Sequence, residues 1–397
     1  MKKNILFIIP SLSAGGGEKS LINLLSQINY EQFNVDLFLL NHEGIFMDYL
    51  PSQVKILSLP ENYKMFSKPL IDSIKDLINA GKPILALNRI LFSLEIRRTK
   101  DISKKEQYTW KYLSKSLDSL EKTYDVAIGF LEKTSTYYCV DKVKAQRKIG
   151  WVHIDYDKLG MDPVFDSPYF DALSSIVTVS EECANIFVKR FPTQENKVKV
   201  IYNVVSPSTI HEMANQTIES EFEKKESEFN LLTIGRLHYQ KGLEMAIDAC
   251  ELLVENGFNI KWYVIGEGDE REKLTRLIEK KGLKNHFFLL GLKANPYPYL
   301  KQADIYVQPS RFEGKSIALD EAKILQKPIV ITNFSTAKDQ ITHGVDGMIV
   351  DMDTNSLSAG IESLIENEDL RNILSHNLKK LSLGTEEEVE KLYKLIY

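Results

Sequence analysis

Twelve short runs of almost unbroken apolar residues, six in each half of the chain, constrain its fold more than any other feature. In the first half they are ILFIIP (5–10), VDLFLL (35–40), VAIGFL (126–131), KIGWV (148–152), SIVTVS (175–180) and KVIYNV (199–204). In the second half they are FNLLTIG (229–235), IKWYVIG (260–266), HFFLLG (286–291), ADIYVQPS (303–310), KPIVIT (327–332) and GMIV (347–350). A run that is apolar throughout, without alternation, suits a parallel strand covered on both faces, and helical stretches separate nearly every pair. The pattern reads as α/β, a strand–helix rhythm played twice. At 397 residues the chain exceeds one ordinary core, so domains are expected at 1–205 and 229–383, joined by the polar, charge-rich linker 206–228. Two doubly wound domains on a hinge would hold their ligand in the cleft between them, at the carboxyl ends of the strands.

The three cysteines, Cys139, Cys183 and Cys250, are widely scattered and form no Cys/His cluster, which argues against a zinc site or a disulfide framework. No apolar run reaches the roughly 18 residues needed to cross a bilayer, and ILFIIP is too short for a signal segment. A cytoplasmic protein is expected. The net charge of −5 disfavours nucleic acid as a partner. That charge is uneven, with +3 over residues 1–205 and −8 over the remainder. Residues 89–122 concentrate nine basic side chains, Arg97, Arg98, Lys104 and Lys105 among them, against five acidic ones, with Tyr108 and Trp110 interleaved. The stretch is either a solvated helical face or a surface that rests on anionic lipid at the inner face of a membrane.

Four strand-to-helix loops carry candidate chemistry. In SLSAGGGEKS (11–20) three glycines precede a helix and either turn backbone N–H groups toward an anion or only make a tight turn. The dinucleotide pattern GxGxxG is absent there, which disfavours a nicotinamide cofactor. In TIGRLHYQKG (233–242) Arg236 and Lys241 stand before a helix, where they either hold a diphosphate without metal or serve as solvated surface cations. In RFEGKSIALDEA (311–322) Ser316 is placed to cap a helix and aim backbone amides at phosphate. At about 1.5 Å per residue, Glu321 then lies roughly 7.5 Å further along, about one nucleoside beyond that phosphate. Glu321 could accept from two ribose hydroxyls and Glu313 from hydroxyls of a group on the far phosphate. Alternatively, Glu321 faces solvent and Glu313 pairs with Arg311 or Lys315. In WVHIDYD (151–157) His153, just after a strand, either hydrogen-bonds a sugar hydroxyl or is a satisfied structural histidine. Asp155 and Asp157 resemble a metal-binding pair, but Arg236 and Lys241 can already neutralise a diphosphate, so no metal is expected.

The segment EGKSIALDE resembles the E-x7-E signature of retaining glycosyltransferases of family 4, which have the GT-B fold. GGGEKSLINLL is similar to that family's GGAE-type loop, TIGRLHYQKG to its GRL-x-x-x-KG element, YDVAIGFLE and WVHIDYD to its mid-domain motifs, and VIYNVV to its interdomain edge. FEGKSIALDEAKIL followed by KPIVITNFSTAKDQI is close to enzymes that assemble bacterial capsule, exopolysaccharide or O-antigen. The resemblance implies two Rossmann-like domains facing across a cleft, the first for the acceptor and the second for a nucleotide sugar, with a helix at about 384–397 crossing back onto the first. It implies Arg236 and Lys241 on the donor diphosphate, Glu321 on the ribose and Glu313 on the hexose, assisted by backbone amides at Gly314, Lys315 and Ser316. Gly16 would approach phosphate, His153 would touch the donor sugar, and the base would sit near Gly291 and Leu292. Lys315 and Ser316 stand where many members carry Phe-Gly, a departure that bears on which sugar is carried.

The activity so implied is metal-independent and needs no cofactor. It moves a hexosyl or N-acetylhexosaminyl unit from a UDP-sugar to a saccharide on undecaprenyl diphosphate, with retention. Two rival readings are a UDP-sugar epimerase of similar architecture and a non-catalytic nucleotide-sugar-binding partner subunit.

Overall fold

Parallel pairing of the buried runs builds one sheet in each of two compact units, in a computed structural model that describes residues 2–13, 15–217, 222 and 228–397. The first unit comprises Met1–Ser13, Leu24–Tyr202 and Glu388–Tyr397, and the second Ala14–Asn23 and Asn203–Glu387.

In the first unit β1 (Lys3–Ile9), β2 (Phe33–Leu39), β3 (Lys55–Ile56), β4 (Thr123–Gly129), β5 (Lys144–Val152), β6 (Ser175–Thr178) and β7 (Val198–Val200) form a seven-stranded sheet ordered β3-β2-β1-β4-β5-β6-β7. The central strand β1 pairs in parallel on both sides, Ile5 standing opposite Val35 of β2 and Val126 of β4. Its residues Ile5–Ile9 are buried, as a strand covered by helices on both faces requires. Leu6 and Ile8 pack with Phe38, Trp110, Ala127 and Tyr138 on one face. The strand order reverses between β1 and β4, the switch point of a doubly wound sheet. Between β3 and β4 the chain inserts the helices Glu61–Phe66, Leu70–Asn79, Pro83–Arg98 and Ile102–Leu113.

The final helix, Glu388–Ile396, belongs to this first unit. The Tyr393 hydroxyl accepts from the Asn29 N–H at 2.7 Å, and its ring lies 4.9 Å from that of Phe33. Arg147 donates to the carbonyls of Leu395 and Tyr397, each at 2.8 Å.

The second unit repeats the scheme with β8 (Phe229–Ile234), β9 (Ile260–Ile265), β10 (Phe287–Leu289), β11 (Ile305–Gln308), β12 (Ile329–Thr332) and β13 (Met348–Val350), ordered β10-β9-β8-β11-β12-β13. Alternate residues of these strands feed two apolar layers. Leu231, Trp262, Val264, Ile305 and Val307 pack with Ala246, Cys250 and Leu253 of the helix Leu243–Glu255. Leu232, Tyr263, Tyr306, Ile329 and Ile331 pack with Leu319 and Ala322 of the helix Ile317–Ile324.

The segment 206–228, expected as a linker, begins with the helix Pro207–Met213 inside the second unit. Ile210 of that helix is buried with Tyr297, Ile317 and Ile324. Residues 218–221 and 223–227 lie outside the described residues. Strand β3 has no counterpart among the twelve expected runs, because both its residues are exposed. Among the described residues, no helix is long and apolar enough to cross a membrane.

Candidate functional site

The neighbouring positions of β8 and β11 in the second sheet bring together the loops that follow them, and the candidate chemistry of this unit lies there. Gly242 makes the approach feasible. It sits at φ 62°, ψ 29°, and an added Cβ would lie 2.1 Å from the Pro309 carbonyl oxygen. Only glycine adopts this left-handed conformation without strain and leaves room for that carbonyl.

The approach pairs Lys241 with Glu313. Glu313 is buried, and its Oε1 accepts from Lys241 Nζ at 2.5 Å and from the Ser310 hydroxyl at 2.6 Å. Gln240 Nε2 reaches Oε2 at 3.4 Å. The sequence neighbours weighed as partners of Glu313 are engaged elsewhere. Arg311 donates to the Tyr239 carbonyl at 2.6 Å, pairs with Glu244 at 3.2 Å and stacks on the Tyr239 ring at 4.1 Å. Lys315 lies 3.4 Å from Asp320. An ammonium carries three donors, so contact with Glu313 leaves Lys241 further hydrogen-bonding capacity. Arg236 is 59% exposed, with Asp269 at 3.8 Å.

The helix Ile317–Ile324 starts at Ser316, whose hydroxyl oxygen accepts from the Leu319 N–H at 3.3 Å, as an N-cap should. Its own N–H, expected to face a phosphate, donates instead to Gln340 Oε1 at 2.8 Å. Gln340 is held in turn by Thr336, through two contacts of 3.1 Å.

One turn further on, Glu321 is 1% exposed rather than a helix-surface residue. Its Oε1 accepts from the Tyr297 hydroxyl at 2.9 Å and forms an ion pair with Lys19 Nζ at 2.5 Å. Its Oε2 is buried and has no partner. Lys19 lies in the first turns of the helix Gly16–Gln27, within the part of that helix that belongs to the second unit. Its Nζ also lies 4.5 Å from the centre of the Tyr297 ring. Burial raises the carboxyl pKa of Glu18 in the same turn, partly opposed by the charge of Arg236.

An added Cβ at Gly16 would meet nothing within 4 Å, so packing within the protein makes no demand for glycine there. Gly291 has φ 74°, and its carbonyl accepts from the Gly266 N–H at 2.9 Å. Leu292 beside it is 37% exposed.

In the first unit His153 follows β5. Its N–H donates to Glu132, and its ring lies 4.9 Å from Phe130 and 6.0 Å from Trp151. Burial pushes its pKa down to about 3, so the imidazole is neutral at physiological pH, and its Nε2 is buried without a partner. Glu132 is driven the other way, up to about 7 by burial, against the backbone N–H groups of His153 and Ile154. Lys133 next to it has φ 61°. Asp155 Oδ1 accepts from the N–H groups of Asp157 and Lys158 in its own turn, and the Asp157 carboxylate pairs with Arg190, at the end of the helix Glu181–Arg190, at 2.8 Å. Among the described residues no three His, Cys, Asp or Glu side chains gather as a metal site would.

Lys19, Tyr297, Ser310, Gln340 and Glu132 are absent from the sequence-based site. Lys19 stands inside the GGGEKS loop and Glu132 inside YDVAIGFLE, but nothing in their spacing points to Glu321 or to His153. Tyr297 and Gln340 reach the site only through tertiary packing.

Comparison with known proteins places this geometry in context. Residues 214–381 match the family described as Glycosyl transferases group 1. The capsular polysaccharide biosynthesis glycosyltransferase CapM of Staphylococcus aureus is 26% identical over 52% of this chain and 56% of its own. The N-acetylgalactosamine-N,N'-diacetylbacillosaminyl-diphospho-undecaprenol 4-alpha-N-acetylgalactosaminyltransferase of Campylobacter jejuni is 27% identical over 48% of this chain and 51% of its own. The chain thus spans about half the length of the curated relatives it matches. Among solved structures, HepE of Anabaena in complex with UDP and glucose superposes with a TM-score of 0.70 over 99% of both chains at 16% identity. The fold is therefore GT-B, α/β with two Rossmann-like parallel sheets, and its second unit carries a glycosyl transferases group 1 domain.

Proposed function

We propose that this chain is a retaining, metal-independent glycosyltransferase that moves a hexosyl or N-acetylhexosaminyl unit from a UDP-sugar to a lipid-linked saccharide in bacterial surface polysaccharide synthesis. The observation that carries the reading is the Glu321 Oε2 atom, buried and unpartnered on the same helix whose start adjoins the Lys241–Glu313 pair. Leaving a buried carboxylate oxygen unmatched costs on the order of 1–3 kcal/mol or more, which a ligand hydroxyl would recover. In this reading Glu321 takes the ribose, and Lys241 and Arg236 take the diphosphate with backbone amides at Gly314 and Lys315. Gly16 leaves space for phosphate, and Gly291 and Leu292 border the base. Glu313 receives the hexose hydroxyls, and His153 offers a neutral imidazole to a sugar hydroxyl.

The bond from the sugar anomeric carbon to the diphosphate oxygen breaks as the acceptor oxygen bonds to that carbon on the same face. The acceptor proton passes to the departing phosphate. Fixed cations where the leaving charge grows stabilise that step without a metal ion.

The UDP and glucose bound by HepE support the donor class, and the diphospho-undecaprenol in the name of the Campylobacter relative supports the acceptor class. The first unit, with its final helix, is then the acceptor half. Its exposed Ile84, Leu87 and Leu94, on the same helix Pro83–Arg98 as Arg97 and Arg98, suit peripheral contact with anionic lipid at the inner face of the membrane. The test is thermal protection by a panel of UDP- and GDP-sugars, followed by transfer to a lipid-linked saccharide in the presence of EDTA. A UDP-sugar at a hundred times its Kd should add about 2.7 kcal/mol of stability. Protection by no nucleotide sugar, or turnover abolished by EDTA, would overturn the reading.

A further inference from the structure

We infer that Lys19 and Tyr297 are positioning residues that act through Glu321, so that a bound nucleotide's ribose is read by the single oxygen Oε2. The inference rests on the donor reading above and adds to it the residues that set how ribose is recognised.

A carboxylate oxygen offers about two acceptor directions. On Oε1 one is taken by the Tyr297 hydroxyl at 2.9 Å, and the Lys19 ammonium pins the same oxygen as an ion pair at 2.5 Å. The two donors are also braced against each other, because Lys19 Nζ lies 4.5 Å from the centre of the Tyr297 ring. Tyr297 is itself fixed, its N–H donating to Asn295 Oδ1 at 3.1 Å and its ring buried against Ile317 and Ile324. The carboxylate can therefore neither rotate nor exchange its oxygens without breaking these contacts. What remains is Oε2, buried and without a partner, with room in its lone pairs for two vicinal hydroxyls.

Lys19 has a second consequence. Glu321 is 1% exposed, and an ionised carboxylate in such a place needs a cation; the Lys19 ammonium, at 15% exposure, supplies it. The ammonium supplies a counter-charge beside the buried carboxylate, and the Tyr297 hydroxyl fixes which oxygen is left open. The lysine of the GGGEKS loop thus serves the ribose end of the nucleotide, not the phosphate end to which a glycine-rich loop would ordinarily be assigned.

The test is isothermal titration of wild type, Lys19→Met, Lys19→Arg and Tyr297→Phe with UDP, 2'-deoxy-UDP and 3'-deoxy-UDP. Each missing ribose hydroxyl should weaken binding to wild type roughly tenfold or more, the range for a hydrogen bond to a charged group. Lys19→Met should weaken UDP and bring the deoxy penalty close to one, and Lys19→Arg should restore both. Tyr297→Phe, which removes a single hydroxyl and leaves the ring packing intact, should cut the penalty several-fold. A Lys19→Met protein that binds UDP weakly yet keeps the full deoxy penalty would place Lys19 on the phosphates and overturn the inference alone. Wild type that binds UDP with no deoxy penalty would also overturn it and leave nucleotide binding standing. Wild type that does not bind UDP would overturn the donor reading and this inference with it.

Discussion

Replacing Lys241 by methionine should cost more stability than replacing both Lys241 and Glu313 with uncharged residues. The two side chains are 17% and 8% exposed, with Nζ and Oε1 2.5 Å apart. At an effective dielectric of about 20, opposite unit charges at that separation attract by about 7 kcal/mol, most of it offset by the loss of hydration on folding. Lys241→Met keeps that hydration cost for Glu313 and removes the attraction, leaving the carboxylate with the Ser310 hydroxyl and Gln240. Breaking a buried pair from one side costs roughly 3–5 kcal/mol, and the partial exposure of Lys241 favours the lower end, ~3 kcal/mol. In a unit of this size that corresponds to a fall in Tm of about 6–12 °C. Glu313→Gln should cost less, ~1 kcal/mol, because the freed ammonium sits nearer solvent. The double variant should be more stable than Lys241→Met by at least ~1 kcal/mol, since no buried charge is left alone. Urea unfolding, with m checked for constancy, measures all four proteins. Turnover by Lys241→Ala should fall tenfold or more, about 1.4 kcal/mol on the barrier. Strictly additive stabilities would refute the coupling, and unchanged turnover would remove Lys241 from the leaving-group role.

Gly242→Ala should lose at least ~2 kcal/mol, from its left-handed φ of 62° and the carbonyl of Pro309 at 2.1 Å from the new Cβ; an unchanged melting curve would show that the loops part without cost. His153, held at about 3 by burial against 6.5 when exposed, contributes stability that is complete above 6.5 and lost as pH falls toward 3. His153→Asn should flatten this acid-side slope by up to about 1.4 kcal/mol per pH unit, and an unaltered slope would refute the assignment. Glu132, raised to about 7 from 4.5, works in the opposite sense: its contribution is complete below 4.5 and lost as pH rises from 4.5 to 7, so Glu132→Gln should remove that loss between pH 4.5 and 7 and leave the curve above 7 unchanged in slope. Changing Arg97, Arg98, Lys104 and Lys105 to serine should reduce flotation with anionic liposomes, and equal flotation would reject lipid contact through this surface.

How far the sequence discloses the structure depends on the range of the forces concerned. Strands such as ILFIIP and IKWYVIG are legible because a parallel strand buried on both faces must be apolar at every position. Strand β3 is not, because Lys55 and Ile56 hold only an exposed edge. The cap at Ser316 is also local and legible. Pairings are not: the near neighbours Arg311 and Lys315 looked equally suited to Glu313, and the residue that reaches it, Lys241, is 72 positions away. It arrives because the sheet sets β8 beside β11 and because Gly242 lets the two loops close. Lys19 and Tyr297 reach Glu321 by the same kind of non-local packing, and Gln340 takes the Ser316 amide that local geometry would have offered to a ligand.

The most direct test of the central claim is the structure of the protein with UDP bound. The diphosphate should lie within hydrogen-bonding distance of Lys241 and Arg236, with ribose hydroxyls donating to Glu321 Oε2. A diphosphate bound away from both cations, with Oε2 of Glu321 still unpartnered, would contradict it.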